Sequence, residues 1–288
     1  VLGKANLHEL ACSGETVSGL GGQTCNPYNL AYTPGGSSGG TAAAIAANLA
    51  TAGLGTDTVN SVRSPASACN LVGLRPTAGL ISRDGLIPVA LSQDVVGPMG
   101  RTVTDVAILL DAIAVDDPND PMTARSAGQT SSGYQAALSA ESLKANHLGG
   151  IRLGIIQSLF GQDSHHQSVN QLMDNALTTL GELGAQCIEI AVNIDIDNLI
   201  EELSVTLWEG KLHLNQYLQN LVTAAPVESL KALLDSKQVH PSIHPMLKKR
   251  QGVNSPLGNS EYWQRLYPRR AELRSLLIHI FQQYQLDA

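Results

Sequence analysis

At 288 residues the chain is long enough for one large domain or two ordinary ones with a substantial core. A hydrophobic share of 43% is that of a globular protein, whereas a net charge of −7 and 4% aromatics exclude a positive field or stacking platform for nucleic acid, and any charge attraction to an anionic membrane. No apolar run reaches the roughly 18 residues of a membrane helix, and Cys12, Cys25, Cys69 and Cys187 contain no C-x-x-C pair, so they read as reduced thiols.

In chain order, residues 1–125 are rich in Gly, Ser, Thr and Ala, with short apolar segments between turn signals. The alanine content of residues 41–51 predicts a tightly packed helix, with glycines leaving amides exposed before it. Residues 71–74 and 86–90 read as short buried strands bounded by Gly or Pro. Residues 102–114 follow a helical pattern with Val103, Val106, Ala107, Leu110 and Ile113 on one face; Thr102 is its cap, and Asp105 stands three residues later. Asp116-Asp117-Pro118-Asn119-Asp120-Pro121 is a turn-rich break, and 122–148 read as a surface connection with one modest helix. Strand 151–156, amphipathic helix 167–183 and strand 187–191 suit a parallel pair with a right-handed crossover. Residues 195–279 are helical, with breaks near Ala225-Pro226, His240-Pro241 and 252–258. No internal repeat is present, and the pattern is α/β.

Chemistry concentrates in two segments, Pro34-Gly35-Gly36-Ser37-Ser38-Gly39-Gly40 and Gly55-Thr56-Asp57-Thr58-Val59-Asn60-Ser61-Val62-Arg63-Ser64-Pro65. Ser37 and Ser61 are 24 positions apart, which suits one helix and one short strand returning to the same place. A serine hydroxyl needs a base and oxyanion donors before it can attack. Residues 1–125 hold only His8, which favours a non-histidine device, and Ser–Lys solutions are known. Alone, the glycine-rich segment also fits a linker or a phosphate cradle, although it lacks the lysine of a P-loop. Gly35-Gly36-Ser37-Ser38-Gly39 further fits a nucleophile elbow, making Ser37 the nucleophile of an esterase, with His147 and His213 as candidate bases downstream.

Taken with Gly3-Lys4-Ala5-Asn6 and Val72-Gly73-Leu74-Arg75-Pro76-Thr77, the two segments resemble the amidase signature family, strongly over residues 3–121 and weakly beyond. The resemblance implies a single α/β/α domain, a mixed central sheet covered by helices on both faces. Residues 1–121 would be the signature core, and 122–288 a divergent, mainly helical, substrate-side half. It implies amide hydrolysis by a Ser–Ser–Lys triad: Ser61 is the nucleophile that forms the acyl-enzyme, and Ser37, on a cis peptide after Gly36, relays the proton to a lysine. The backbone amides of Thr58, Val59, Asn60 and Ser61 would form the oxyanion hole, Ser38 would orient the relay, and Asp57 and Arg63 would make a supporting ion pair. It calls for no metal or organic cofactor, a small-molecule amide as substrate, no nucleic-acid or membrane partner, and a cytoplasmic location; a homodimer stays open. The alternative is a non-catalytic member or the A-type subunit of a tRNA-dependent amidotransferase, which shares the motifs.

Two departures stand out. Val59-Asn60 replace a usual Gly-Gly; Asn60 tolerates left-handed geometry, whereas β-branched Val59 resists it, and the pair leans toward a stand-alone amidase. The family's triad lysine lies upstream of Gly3-Lys4-Ala5-Asn6 and Lys4 matches a different position, so the chain reads as a fragment lacking both ends and hydrolysing poorly alone. Elsewhere, Asp163 with His165-His166 reads as a solvated loop, because adjacent imidazoles on a loop rarely converge on one ion. Lys248-Lys249-Arg250 reads as a helix end complementing the dipole, and Trp208 and Trp263 read as core or interface residues.

Overall fold

The protein, a computed structural model, is described over residues 1–128, 133–138, 148–221 and 225–288. In chain order the first elements are β1 (Val17–Ser18), β2 (Gly22–Gln23), α1 (Gly39–Ala46), β3 (Ala52–Asp57), α2 (Arg63–Ala68), β4 (Val72–Gly73), β5 (Val95–Gly100) and α3 (Val103–Ile113). Next come β6 (Arg152–Ile155), α4 (Gln167–Glu182), β7 (Gln186–Glu189) and α5 (Ile196–Leu203). The chain closes with α6 (Thr206–Gln219), α7 (Leu230–Asp235), α8 (His244–Gln251), α9 (Ser260–Leu266) and α10 (Pro268–Tyr284). The fold is α/β. It divides into two compact units, Val1–Ala137 with Val205–Pro256, and Leu138–Ser204 with Leu257–Ala288. No described helix is long and apolar enough to cross a membrane, and all four cysteines are free thiols. His147, with the rest of 139–147 and with 129–132 of the connection expected over 122–148, lies outside the described residues.

In the first unit, β5 is the centre of a three-stranded antiparallel sheet, with β3 along its full length and β4 at its end. The sequence reading missed β5, because Gly97-Pro98 interrupts it. The Pro98 carbonyl accepts the Leu74 N–H at 3.0 Å, so the ring nitrogen also faces the β4 side and removes nothing from the β3 ladder. The strand expected at 86–90 is irregular instead. The Val89 and Ala90 N–H groups donate to the Asp94 carboxylate at 2.9 and 2.8 Å, leaving no ladder to join.

Helix α1 is shorter than its alanine run. Asn48 takes a left-handed φ of 60°, and the N–H groups of Asn48 and Leu49 return to the carbonyls of Ile45 and Ala44, a Schellman stop. Its inner face packs Ala42 and Ile45 against Val62, Ala66, Cys69 and Met99; full burial of a side chain such as Ile45 contributes about 1.5–3 kcal/mol. Helix α3 starts at the expected capping box, with the Asp105 N–H on Thr102 Oγ1 at 3.1 Å and the Thr102 N–H on Asp105 Oδ2 at 2.9 Å. A second cluster joins Cys12 to Leu214, Leu230, Val239, Ile243 and Leu247 of the α6–α8 region. Arg250, in the last turn of α8, is buried rather than solvated and donates to Cys12 Sγ at 3.4 Å.

In the second unit β6 and β7 form the expected parallel pair, Arg152 opposite Gln186 through Ile155 opposite Glu189, with α4 between them. The apolar stripe of α4 is present but exposed at Val169, Leu172 and Met173. Asp195 and Asn259 cap α5 and α9 through the N–H groups of Asn198 and Tyr262. The C-terminal residues run beside β6, with the Gly154 N–H on the Ala288 carbonyl at 2.9 Å.

Candidate active site

The two serine segments meet in the first unit, joined as expected by one helix and one strand. The Ser38 N–H donates to the Ser61 carbonyl at 3.3 Å, which ties the start of α1 to the turn before α2. The Gly36–Ser37 peptide is cis. Ser37 is fully buried, and its hydroxyl has no hydrogen-bond partner among the described residues. Ser61 is half-buried, and its hydroxyl also makes no hydrogen bond among those residues, so the two serines are neighbours without a direct bond. Ser38 Oγ accepts the Thr56 N–H at 3.1 Å and donates to the Thr56 carbonyl at 3.3 Å, locking the first segment to β3. Gly55 permits this closeness, since a β-carbon there would sit 2.6 Å from Ser38 Oγ.

Thr16, which the sequence reading did not single out, is the hub under Ser37. Its fully buried hydroxyl donates to the Gly35 carbonyl at 2.7 Å, lies 3.3 Å from the Ser37 carbonyl, and accepts the Gly39 N–H at 3.0 Å. At Gly39 a β-carbon would come within 2.3 Å of that hydroxyl, so only glycine fits. The Ser37 carbonyl also accepts the His8 N–H at 2.8 Å. His8 itself is fully buried. Its Nδ1 accepts the Val17 N–H at 3.5 Å, and its Nε2 has no partner among the described residues. Burial holds its pKa below the ordinary histidine value, against the opposing carboxylates Glu15 and Glu9.

The second segment is braced by charge. Asp57 is fully buried and accepts the Val62 N–H at 3.1 Å, Arg63 Nε at 3.3 Å and Arg75 Nη1 at 2.7 Å. Burial alone would raise its pKa; the bonds from Arg63 and Val62 and the two guanidinium charges outweigh it and hold the carboxyl below the usual range. Arg63 also donates to the Val59 carbonyl, and Arg75 to the carbonyls of Asp57 and Gln93. Thr58 donates to the buried Asp94 carboxylate at 2.5 Å. Burial raises the Asp94 pKa, with the Glu209 carboxylate adding to it, despite the bonds from Thr58, Ala90 and Val89.

Neither Val59 nor Asn60 takes a positive φ. The left-handed geometry that Asn60 was expected to supply is not needed, and β-branched Val59 is accommodated without strain. The N–H groups of Thr58, Val59, Asn60 and Ser61 donate to no protein acceptor among the described residues. Such a run of open donors beside a hydroxyl suits an anionic oxygen. Lys4 is exposed and makes no hydrogen bond among the described residues. His213 is not brought to Ser37 by any bond: its Nδ1 accepts the Leu91 N–H at 3.1 Å and lies 3.5 Å from Glu209.

A family model described as Amidase matches residues 1–288. The A-type subunit of glutamyl-tRNA(Gln) amidotransferase from Synechococcus sp. is 35% identical over 277 residues, 96% of this chain and 52% of that protein. Native peptide amidase from Stenotrophomonas maltophilia is similar in structure, with a TM-score of 0.83 and 34% identity over 99% of this chain and 59% of that one. The corresponding A-type subunit of glutamyl-tRNA(Gln) amidotransferase from Thermotoga maritima gives a TM-score of 0.67 and 27% identity over 98% of this chain and 56% of that one. The chain spans about half the length of the curated relatives it matches.

Proposed function

The chain belongs to the amidase family, and we propose that it carries the nucleophile and oxyanion machinery of an amide hydrolase acting through Ser61. The observation that supports this best is Ser61 at the end of four open backbone donors, Thr58 to Ser61, with its carbonyl bonded to the Ser38 N–H and the partnerless Ser37 hydroxyl on the residue before Ser38. Ser61 Oγ attacks the amide carbonyl carbon, and the developing oxyanion is taken up by those N–H groups. Ser37 receives the Ser61 proton and passes it to an amine base. That proton then goes to the leaving nitrogen as the C–N bond breaks, and water releases the acyl group from Ser61. Because Lys4 is exposed, this reading assigns the base to the lysine that the resemblance puts upstream of Gly3. Ser38, Asp57, Arg63 and Arg75 hold the two loops and do no chemistry. The reading calls on no metal or organic cofactor.

The test is covalent labelling by a fluorophosphonate probe. Ser61→Ala abolishes labelling and Ser37→Ala slows it. Labelling that persists on Ser37 in Ser61→Ala would transfer the nucleophile to the elbow reading. A second reading, the amide-cleaving subunit of an amidotransferase, is favoured by the 35% identity to such subunits. The stand-alone amidase is preferred on the higher TM-score with peptide amidase, 0.83 against 0.67. A stoichiometric partner retained through purification would reverse that preference.

A further inference from the structure

The turn leading from β6 into α4 gathers metal-ligating side chains that the sequence reading left as a solvated loop. One ring nitrogen each of His165 and His166 and a carboxylate oxygen of Asp163 all lie within 4.8 Å of one another. The local backbone makes this possible. Ser164–His166 form a single 3-10 turn, closed by the His166 N–H on the Asp163 carbonyl at 2.9 Å. In that turn the adjacent imidazoles do not diverge; their ring centroids are 3.9 Å apart at 49°. An independent observation concerns how the His166 ring is seated. Its Nδ1 is buried with no hydrogen-bond partner, against Gly161, where a β-carbon would come within 2.1 Å of it. Asn170 on α4 fixes that wall by donating to the Gly161 carbonyl at 2.7 Å.

We propose that Asp163, His165 and His166 form a site for one divalent transition ion of the zinc class. Two imidazole nitrogens and one carboxylate oxygen suit zinc, nickel or copper rather than calcium or magnesium, which prefer oxygen donors throughout. Bonds of about 2.0–2.2 Å put tetrahedral ligands roughly 3.3 Å apart, so the ligands close in on binding, which the exposed Asp163 and His165 side chains are free to do. Three protein ligands leave a position for water. The positive end of α4 opposes a cation and the Asp163 charge offsets it, so the site binds more weakly than a four-ligand structural one.

The test titrates the 288-residue chain, with exposed Cys25 and Cys187 replaced by Ser to remove competing thiols, with Zn²⁺ by calorimetry and with Co²⁺ by visible absorption. One equivalent of each ion is expected to bind, with no response to Mg²⁺. His165→Ala or His166→Ala weakens binding at least about tenfold, and the double variant abolishes it while keeping the parent circular dichroism. His279→Ala, exposed on α10, binds as the parent does. Zn²⁺ raises the thermal midpoint of the parent and not of the double variant. Absence of saturable binding, or binding undiminished in the double variant, overturns the proposal.

Discussion

Replacing Thr16 by Val swaps one buried hydroxyl for a methyl of nearly the same size and removes two short hydrogen bonds beneath Ser37. The Gly39 N–H, now 3.0 Å from Thr16 Oγ1, is left buried without an acceptor, and the Gly35 carbonyl loses a donor at 2.7 Å. An unsatisfied buried donor costs about 1–3 kcal/mol and a lost neutral hydrogen bond about 1, so Thr16→Val should destabilise by about 2–4 kcal/mol. Thr16→Ser is the control. It keeps the hydroxyl, forfeits a methyl worth about 0.8 kcal/mol, and relieves a β-branched residue at a φ of 55°, for a net change within about 1 kcal/mol. With a urea slope of about 2 kcal/mol per molar, the Val variant should unfold about 1–2 M earlier than wild type, and its Ser61 should label more slowly as the Ser37 loop loosens. A Val midpoint within about 0.3 M of wild type, with unchanged labelling, would refute the assignment of Thr16 as the hub.

The Asp120 carboxyl is held down to about 2, chiefly by hydrogen bonds from Arg83 at 2.6 and 2.8 Å, from an unperturbed value of 3.8. A folded value below the unfolded one means stability present above pH 4 and lost as pH falls from about 4 toward 2, about 2 kcal/mol in all; Asp120→Asn should remove that slope from urea midpoints measured across this range. Thr102→Ala breaks the capping box of α3 and should cost about 1 kcal/mol by the same assay. Gly39→Ala drives a methyl to 2.3 Å from Thr16 Oγ1; it should cost more stability than Gly85→Ala, where nothing lies within 4 Å of the added carbon but φ is 77°. Equal losses at the two positions would refute the cost assigned to crowding at Gly39, which has no positive φ of its own.

What was legible in the sequence was what short segments settle by themselves. Thr102 and Asp105 are three residues apart and cap α3 whatever else folds, and the strand–helix–strand pattern of β6, α4 and β7 lies in one stretch. The meeting of Ser37 and Ser61 followed from an intervening helix and strand. What was missed depends on distant partners. The apolar run at 86–90 looks like a strand until Asp94 takes its N–H groups, and β5 looks broken until Pro98 turns its nitrogen away from β3. Alanine content overstated α1, because one left-handed Asn48 outweighs it. Thr16 and Arg75 brace the serine loops from 21 and 18 positions away, with no local pattern to mark them.

The interleaving of the two units bears on the order in which a ribosome can deliver them. Cys12 precedes its apolar neighbours Leu214, Leu230, Val239, Ile243 and Leu247 in the chain by the whole of Leu138–Ser204, which belongs to the other unit. The serine loops and β3–β5–β4 are complete by Gly100 and have local reasons to form early, whereas the floor on which Cys12 and Arg250 meet waits for the chain to return. Until it does, the apolar side chains that pack on Cys12 are absent, and a chain that stops short of them carries the kind of uncovered apolar surface that favours aggregation.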